Sequence, residues 1–161
     1  MVNYLDRSNA DFTCKVCRIY VMSQCVVSGV NHRNHCPHCL HSRHLDLYQA
    51  GDRLCACKGM MAPVGLTMKR TFDKYKGDAS GELMLVHHCL DCGVCSINRI
   101  AADDDPFKLL AIFENSLLGS TSFMYPEKLR DIEVLKEDDW HKLQYRLFGN
   151  LCEANSEFVC V

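Results

Sequence analysis

Four cysteines in the first forty residues of this 161-residue chain form two Cys-x-x-Cys pairs, Cys14/Cys17 and Cys36/Cys39. Two cysteines separated by two residues can supply half of the four ligands that a tetrahedral zinc ion requires, because a knuckle turn brings both sulfur atoms around the metal. The eighteen residues between the pairs are typical of a zinc ribbon. We therefore expect these four cysteines to form one zinc site.

A Cys-x-x-Cys pair can also be a redox-active dithiol. In thioredoxin-like proteins, however, that motif lies between a strand and a helix of a larger α/β unit. The sequence around the two pairs has no such unit, so zinc binding is the better interpretation.

A second group of possible ligands offers more side chains than one ion can use. Its members are Cys55, Cys57, His87, His88, Cys89, Cys92 and Cys95. Because side chains alternate along an extended strand, His87 and Cys89 are expected to share a face while His88 points away. We expect Cys57, His87, Cys89 and Cys92 to bind a second zinc ion, with Cys55, Cys95 and His88 as alternative ligands.

Sites with four protein ligands have no open position for a substrate or an activated water, so both zinc ions are expected to be structural. Each can contribute on the order of 10 kcal/mol to folding, which would offset a small core. Histidines also recur at every third position from His32 to His44. Ligands spread over a knuckle do not converge, so we expect one or two of them to support the zinc through hydrogen bonds and the others to be exposed.

Twelve cysteines are far more than the core of such a chain needs. They indicate either disulfides in an oxidising compartment or thiolate metal sites in a reducing one. Residues 1–11 have neither the basic start nor the apolar stretch of a signal peptide, and no segment is long enough to cross a membrane. We expect a cytoplasmic protein with reduced thiols, in which Cys25, Cys152 and Cys160 are buried or free.

The elements that position the ligands begin with two hairpins. The β-prone residues 19–22 and 25–27 predict a short hairpin beside the first cysteine pair. A polar turn at 74–81 and the apolar run 83–86 predict a second hairpin that leads into Cys89. The predicted fold class is α+β, with small zinc-ribbon-like β-hairpins, two zinc knuckle sites and a C-terminal helical segment.

The character of the chain changes at the sequence Asp103-Asp104-Asp105-Pro106, because an acidic residue can cap a helix and proline fits its first turn. Apolar spacing then predicts helices at 105–117, 126–137 and 139–148. We expect a zinc-binding domain over residues 1–117 and an acidic, mainly helical extension over residues 118–161.

Charge is unevenly distributed along the chain. Residues 1–102 carry 12 Lys and Arg against 8 Asp and Glu, a net charge of +4, whereas residues 103–161 carry 6 against 12, a net charge of −6. The basic first part would suit an anionic partner, although an excess of this size is also ordinary surface variation.

Residues 33–37 read Arg-Asn-His-Cys-Pro, and further short motifs accompany them at 12–17, 38–46, 51–53, 57–63, 87–93, 98–101 and 103–105. Together they resemble the RNHCP-domain family, small microbial proteins named for that pentapeptide, over about residues 12–115. The resemblance implies a shared ligand set of Cys14, Cys17, Cys36, Cys39, Cys57, His87, Cys89 and Cys92. It favours this set over one with Cys55 or Cys95, and it implies no particular activity.

The expected function is nonenzymatic, namely a structural-zinc module with two Zn²⁺ ions that binds RNA as a factor associated with the ribosome or another ribonucleoprotein. The polar donors expected to contact RNA are Arg33, Asn34, His35, Arg43, Arg53, Lys58, Lys69, Arg70 and Arg99. We expect neither a small-molecule substrate nor association with a membrane.

The alternative function is that of an adaptor on a transcription or translation complex, with the acidic tail as the contact for a protein partner. It rests on the aromatic and leucine residues Trp140, Leu143, Tyr145, Leu147 and Phe148, which lie near several Asp and Glu. The same residues are suited to form a core for the tail, and that interpretation is the favoured one.

An enzyme is the least expected class. A metal-dependent nuclease needs an open metal site with carboxylates and a histidine base, for which Asp46 and Asp52 near His44 are the candidates. Aspartates beside a turn glycine such as Gly51 are more often loop caps. The other enzymatic possibility, a dithiol oxidoreductase, conflicts with the ribbon-like spacing of the cysteines.

Overall fold

The structure of the protein is a computed structural model, and the residues it describes are 10–70, 81–118 and 132–149. A small hairpin comes first, in which strand β1 (Phe12–Thr13) pairs antiparallel with strand β2 (Tyr20–Val21). The first Cys-x-x-Cys pair forms the turn between these strands. The prediction of a strand near residues 19–22 is therefore confirmed.

The predicted strand at 25–27 is wrong, because Cys25–Ser28 forms a single helical turn, α1. Gly29 adopts a left-handed conformation with φ 69°, and its amide donates to the Cys25 carbonyl oxygen. The Ser28 hydroxyl donates to the Gln24 carbonyl oxygen at 3.1 Å, which closes the same turn. These local hydrogen bonds override the preference of two adjacent valines for extended structure.

The main sheet contains four antiparallel strands in the order β3 (Ser42–Arg43), β4 (Met60–Arg70), β5 (Gly81–Cys89) and β6 (Cys95–Arg99). Strands β4 and β5 form the predicted second hairpin. The turn predicted at 74–81 lies outside the described residues, except for Gly81, the first residue of β5. The second hairpin is confirmed by the pairing of Leu66 with Leu85 at the centre of the sheet.

Helix α2 (Pro106–Leu117) confirms the helix predicted at 105–117. The Asp105 carboxylate accepts from the amides of Phe107 and Lys108, so it caps the helix as expected. Leu109 and Phe113 of this helix are fully buried, and they pack in one cluster with Leu66 and Leu85 of the sheet. This contact is the centre of the main hydrophobic core.

The helix predicted at 126–137 is wrong over residues 132–136, which are extended; its first part, 126–131, lies outside the described residues. Val134 forms a bridge with Thr67 of β4, and the Leu135 amide donates to the Leu66 carbonyl oxygen at 2.8 Å. Ile132 and Val134 join one apolar cluster and Leu135 another. The apolar residues at three-residue spacing therefore belong to an extended segment that packs against two parts of the sheet, and not to a helix.

Helix α3 (Trp140–Phe148) follows a 3₁₀ turn at Glu137–Asp139 and confirms the helix predicted at 139–148. Leu143 is buried in the main core, and the Trp140 ring centroid lies 5.8 Å from that of Phe113. The described part of the expected extension thus packs on the same core as α2. Among the described residues, no helix has the length and apolar character needed to cross a membrane.

Candidate metal centres

Three Cys-x-x-Cys pairs, which begin at Cys14, Cys36 and Cys89, fold into the same turn. The amide four residues after the first cysteine donates to that cysteine's carbonyl oxygen: Arg18 to Cys14 (3.1 Å), Leu40 to Cys36 (2.8 Å) and Gly93 to Cys89 (3.0 Å). The amide of the first cysteine donates in turn to the carbonyl oxygen of the fifth residue after it: Cys14 to Ile19 (2.9 Å), Cys36 to His41 (3.0 Å) and Cys89 to Val94 (2.8 Å). The sequence spacing therefore specifies one local structure three times.

Each knuckle ends on a residue in the left-handed region. These residues are Arg18 with φ 64°, Leu40 with φ 58° and Gly93 with φ 72°. Lys58, directly after Cys57, has φ 52°. A residue with a Cβ atom is strained in this conformation by about 1 kcal/mol, so the knuckles that end on Arg18 and Leu40 are held in place by other interactions.

The first centre brings together the four predicted ligands. The Cys14 and Cys39 sulfur atoms lie 3.5 Å apart, as do those of Cys17 and Cys36, and all four lie within 4.8 Å of one another. None of these cysteines is in a disulfide. A tetrahedral ion with Zn–S bonds of about 2.3 Å holds its sulfur ligands about 3.8 Å apart, so the arrangement fits zinc.

The four thiols of the first centre can ionise together only if a cation lies among them. Burial raises the pKa of Cys36 to about 11 and also raises the pKa of Cys39, whereas the Ile19 amide lowers the pKa of Cys17 to about 7. Four thiols this close together cannot all lose their protons unless a positive charge lies among them. A zinc ion supplies that charge and binds the thiolates.

The second centre contains Cys57, Cys89 and Cys92, as predicted, but its fourth member is His44. The Cys57 and Cys89 sulfur atoms are 3.7 Å apart, and the His44 Nδ1 atom lies 3.2 Å from the Cys92 sulfur. The four ligand atoms lie within 4.8 Å of one another. Cys55, Cys95 and His88, the alternatives suggested by the sequence, are not members of this group.

His87, the expected ligand, is fully buried elsewhere, with both ring nitrogens engaged. Its Nε2–H donates to the Leu40 carbonyl oxygen at 2.7 Å, and its Nδ1 accepts from the Asn98 amide at 2.8 Å. Burial lowers its pKa to about 3, with a smaller contribution from His35, so the ring is neutral. His87 therefore binds protein groups and is not available to a metal.

The expectation that His87 binds the second zinc ion is wrong because of the distance between residues along the strand. Side chains two residues apart on one face of a strand are separated by about 6.8 Å, which is too far for His87 and Cys89 to share an ion readily. His44 instead follows β3, where its amide donates to the Gly59 carbonyl oxygen at 2.9 Å. That pairing places it beside Cys57, and the only sequence signal for it is its membership of the histidine series.

A buried ionic cluster connects the second knuckle to the start of α2. The Arg33 side chain is fully buried and contacts Asp103 at 2.9 Å and Asp104 at 3.2 Å, while His35 Nε2 lies 2.8 Å from Asp104. Arg33 also donates through Nε to the His35 carbonyl oxygen at 3.1 Å. Asp104 accepts further from the Ala101 amide at 2.8 Å, so each charge in the cluster is paired.

Comparison with known families agrees with this geometry. The model of the RNHCP domain matches residues 9–110, well over half of the chain. The chain belongs to the RNHCP-domain family. This confirms the resemblance seen in the sequence. No match was found among curated proteins or among solved structures.

The ionic cluster and the first zinc centre together explain three positions of the RNHCP pentapeptide. Arg33 and His35 bind the acidic residues before α2, and Cys36 belongs to the first zinc centre. The prediction that Arg33 and His35 contact RNA is therefore corrected, because both side chains are buried among protein groups. The sequence signal that was missed is the Asp103-Asp104 pair, which was read only as the start of a helix.

The remaining predicted RNA contacts are dispersed over the domain. Lys58 and Lys69 are exposed, and Arg99 lies on β6 with its Nε 3.1 Å from Glu82. Arg70 ends β4, and its side chain lies outside the described part of the chain. Among the predicted contacts whose side chains the structure describes, four line one cavity: Arg33, Asn34, Arg43 and Arg53.

This cavity, of about 420 Å³, lies between the first zinc centre and β3 of the RNHCP domain. Its apolar lining includes Phe12, Leu45 and Met60, and its cationic lining includes Lys15, Arg43 and Arg53. The acidic residue in its lining, Asp11, accepts from the Tyr20 hydroxyl and the Ser23 amide, each at 2.7 Å, and the Ser23 amide is the larger reason for its lowered pKa.

The two aspartates considered for nuclease chemistry are caps for the loop that follows β3. Asp52 accepts from the amides of Leu47, Tyr48, Gln49 and Leu54, and these hydrogen bonds lower its pKa. Asp46 accepts from the amides of Gly51 and Arg53 and from the Asn34 side chain. Both carboxylates are used by the protein itself, as the loop-cap interpretation predicts.

Proposed function

We propose that this zinc-binding module is a nonenzymatic RNA-binding factor that associates with the ribosome or another ribonucleoprotein. The observation that supports the proposal is the cavity beside the first zinc centre, where Lys15, Arg43 and Arg53 form a cationic lining. Phosphate contacts from such side chains supply most of the affinity of proteins for nucleic acids.

The positive charge of this lining is only partly neutralised, because the lining holds four cationic residues and one acidic residue, Asp11. Of its charged residues, Arg33 is paired with Asp103 and Asp104, Arg53 lies 3.6 Å from Asp46, and Lys15 is exposed. Arg43 donates through Nη2 to the Lys58 carbonyl oxygen, which is a neutral partner. An anionic ligand therefore gains attraction here without displacing a buried ion pair.

The zinc centres support this function by holding the cavity walls. Cys14 belongs to both the first centre and the cavity lining, and Phe12 packs against that centre. Arg43 is followed directly by His44 of the second centre. The metal sites thus hold Cys14 of the lining and the residue next to Arg43 in fixed positions, which limits the entropy lost on binding.

The adaptor hypothesis finds less support in the described residues. Leu143 is buried, Trp140 and Leu147 pack on the main core, and the Phe148 ring centroid lies 5.2 Å from that of Phe107. Of the five tail residues that motivated it, Tyr145 is the exposed one, at 60% of its full accessibility. Leu143, Trp140 and Leu147 therefore serve the core of this chain.

The test is binding of the zinc-loaded protein to single-stranded RNA and to purified ribosomes over a range of salt concentrations. We expect binding that weakens as salt rises, and an Arg43→Gln variant that lowers both the affinity and the salt dependence. Arg146→Gln is the matched control, because it removes the same charge from an exposed position on α3 that is outside the cavity lining. If the protein binds neither the RNA nor the ribosomes at low salt, the proposal is refuted.

A further inference from the structure

We infer that the cavity beside the first zinc centre receives one unpaired nucleobase of the bound RNA. This inference rests on the proposed function and deepens it, because it names what part of the RNA the cavity recognises. Its basis is a pair of polar atoms, Asn34 Oδ1 and Arg43 Nε, which are buried and have no hydrogen-bond partner in the part of the chain that the structure describes.

The identity of the Asn34 acceptor is fixed by its neighbour. The Asn34 side chain lies 2.9 Å from an Asp46 carboxylate oxygen, and only its amide nitrogen can donate to that oxygen. The other atom of the amide group is therefore the carbonyl oxygen Oδ1, an acceptor. Buried polar atoms of native proteins nearly always have a partner, so an acceptor left over in a cavity lining indicates a ligand that donates.

The donor belongs to the residue that lies across the bridge from Asn34. His35 and Ser42 form an antiparallel bridge, and this register places Asn34 opposite Arg43. The Ser42 hydroxyl holds the two segments together by donating to the Asn34 carbonyl oxygen at 3.1 Å. Side chains of opposed residues start about 5 Å apart, so a ligand edge that carries one donor and one acceptor can reach both groups.

Nucleobase edges carry such neighbouring donors and acceptors, and Asn and Arg are among the side chains that read them. The walls of the cavity suit the flat faces of a base, because Phe12, Leu45 and Met60 are apolar and bases stack on aromatic rings. Its volume of about 420 Å³ lies within the range of small-ligand sites. Lys15 and Arg53 supply positive charge for the phosphate that accompanies the base.

A peptide amide also offers a donor and an acceptor, but it carries no phosphate to use the cationic lining. A base inside a duplex cannot enter, since its edge is paired and its faces are stacked. The cavity therefore favours single-stranded RNA over duplex RNA of the same length and charge. Recognition in this form differs from attraction of phosphates to the surface, which is insensitive to strandedness.

The experiment compares three RNA probes of equal length with the zinc-loaded full chain: a single strand, a hairpin duplex and a single strand with abasic residues. We expect the single strand to bind at least tenfold more tightly than the duplex or the abasic strand. Titration with each of the four nucleoside monophosphates, followed by amide NMR shifts near Phe12 and Asn34, distinguishes a free nucleotide from an RNA as the source of the base. Shifts there with a mononucleotide also support the base site.

The decisive variant is Arg43→Lys, which keeps the positive charge and removes Nε and the planar fork of donors. We expect it to lose the preference for the single strand while the salt dependence stays unchanged, and we expect the control variant Arg146→Lys, on α3 and outside the cavity lining, to behave as the unmodified protein. Equal binding of all three RNA probes would overturn the base site and leave the proposed function standing. No RNA binding at all would remove both. The comparison of probes needs no variant, so it remains informative if Arg43→Lys does not fold.

Discussion

Replacement of Asp104 by asparagine is expected to destabilise the protein by about 3 kcal/mol, because it leaves the charge of a buried arginine partly uncompensated. Asp104 and Arg33 both have fully buried side chains, and the Asp104 carboxylate also contacts His35 at 2.8 Å and accepts from the Ala101 amide. Removal of one partner from a buried ion pair typically costs about 3–5 kcal/mol. Asp103 stays in contact with Arg33 at 2.9 Å, which places the expected value at the lower end.

Asp103→Asn is the matched control for this prediction. Its side chain contacts the same guanidinium group but is 35% exposed, so water can replace part of the lost interaction. We expect a cost of about 1 kcal/mol or less from this partly solvated pair. The two substitutions change the net charge equally, and the difference between them isolates the effect of burial.

The assay is urea unfolding of both variants at a fixed, buffered zinc concentration, after each has been shown to hold two zinc ions per chain. We expect a lower midpoint with an unchanged slope, which reports a loss of stability without a change in the surface exposed on unfolding. A difference of about 3 kcal/mol corresponds to a fall in the thermal midpoint of roughly 6–12 °C for a chain of this size. If Asp104→Asn costs no more than Asp103→Asn, the role assigned to the buried cluster is wrong.

Three further predictions concern the metal centres and the sheet. His44→Ala is expected to lower the zinc content from two ions per chain to one, whereas His44→Cys and His87→Gln are expected to retain two; loss of zinc from His87→Gln alone would restore the ligand set expected from the sequence. Gly65→Ala places a Cβ atom 2.8 Å from Val134 Cγ1, so we expect a cost of about 1–3 kcal/mol in urea unfolding that Val134→Ala partly relieves; strictly additive effects would contradict this contact. Arg18→Gly is expected to be about 1 kcal/mol more stable than Arg18→Ala, because only glycine adopts φ 64° without strain; equal stability would show that the knuckle bears no strain.

Features of the chain that depend on nearby residues could be predicted from the sequence. The first zinc centre follows from cysteine spacing, since each knuckle closes with hydrogen bonds over five residues. Helix α2 follows from an aspartate cap and a proline in the first turn. The strand that becomes β5 follows from a continuous apolar run.

Features that depend on distant residues could not be predicted in this way. His44 joins the second centre because its amide pairs with Gly59, and Arg33 is buried because Asp104 approaches it from seventy-one residues away. The extended segment before α3 has the apolar spacing of a helix, and only its hydrogen bond to Leu66 distinguishes the two. In each case the local pattern was compatible with two structures, and a tertiary contact decided between them.

Leu40 joins two parts of the molecule that could otherwise have been independent. Its amide closes the second knuckle, its carbonyl oxygen accepts from His87 of the central strand, and its side chain is buried in the main core. A chain that releases zinc from the first centre therefore also loses an anchor of that core, and it presents leucine side chains to the proteases and chaperones that recognise them. We expect the cellular lifetime of this protein, and so its abundance, to follow the supply of zinc in the growth medium.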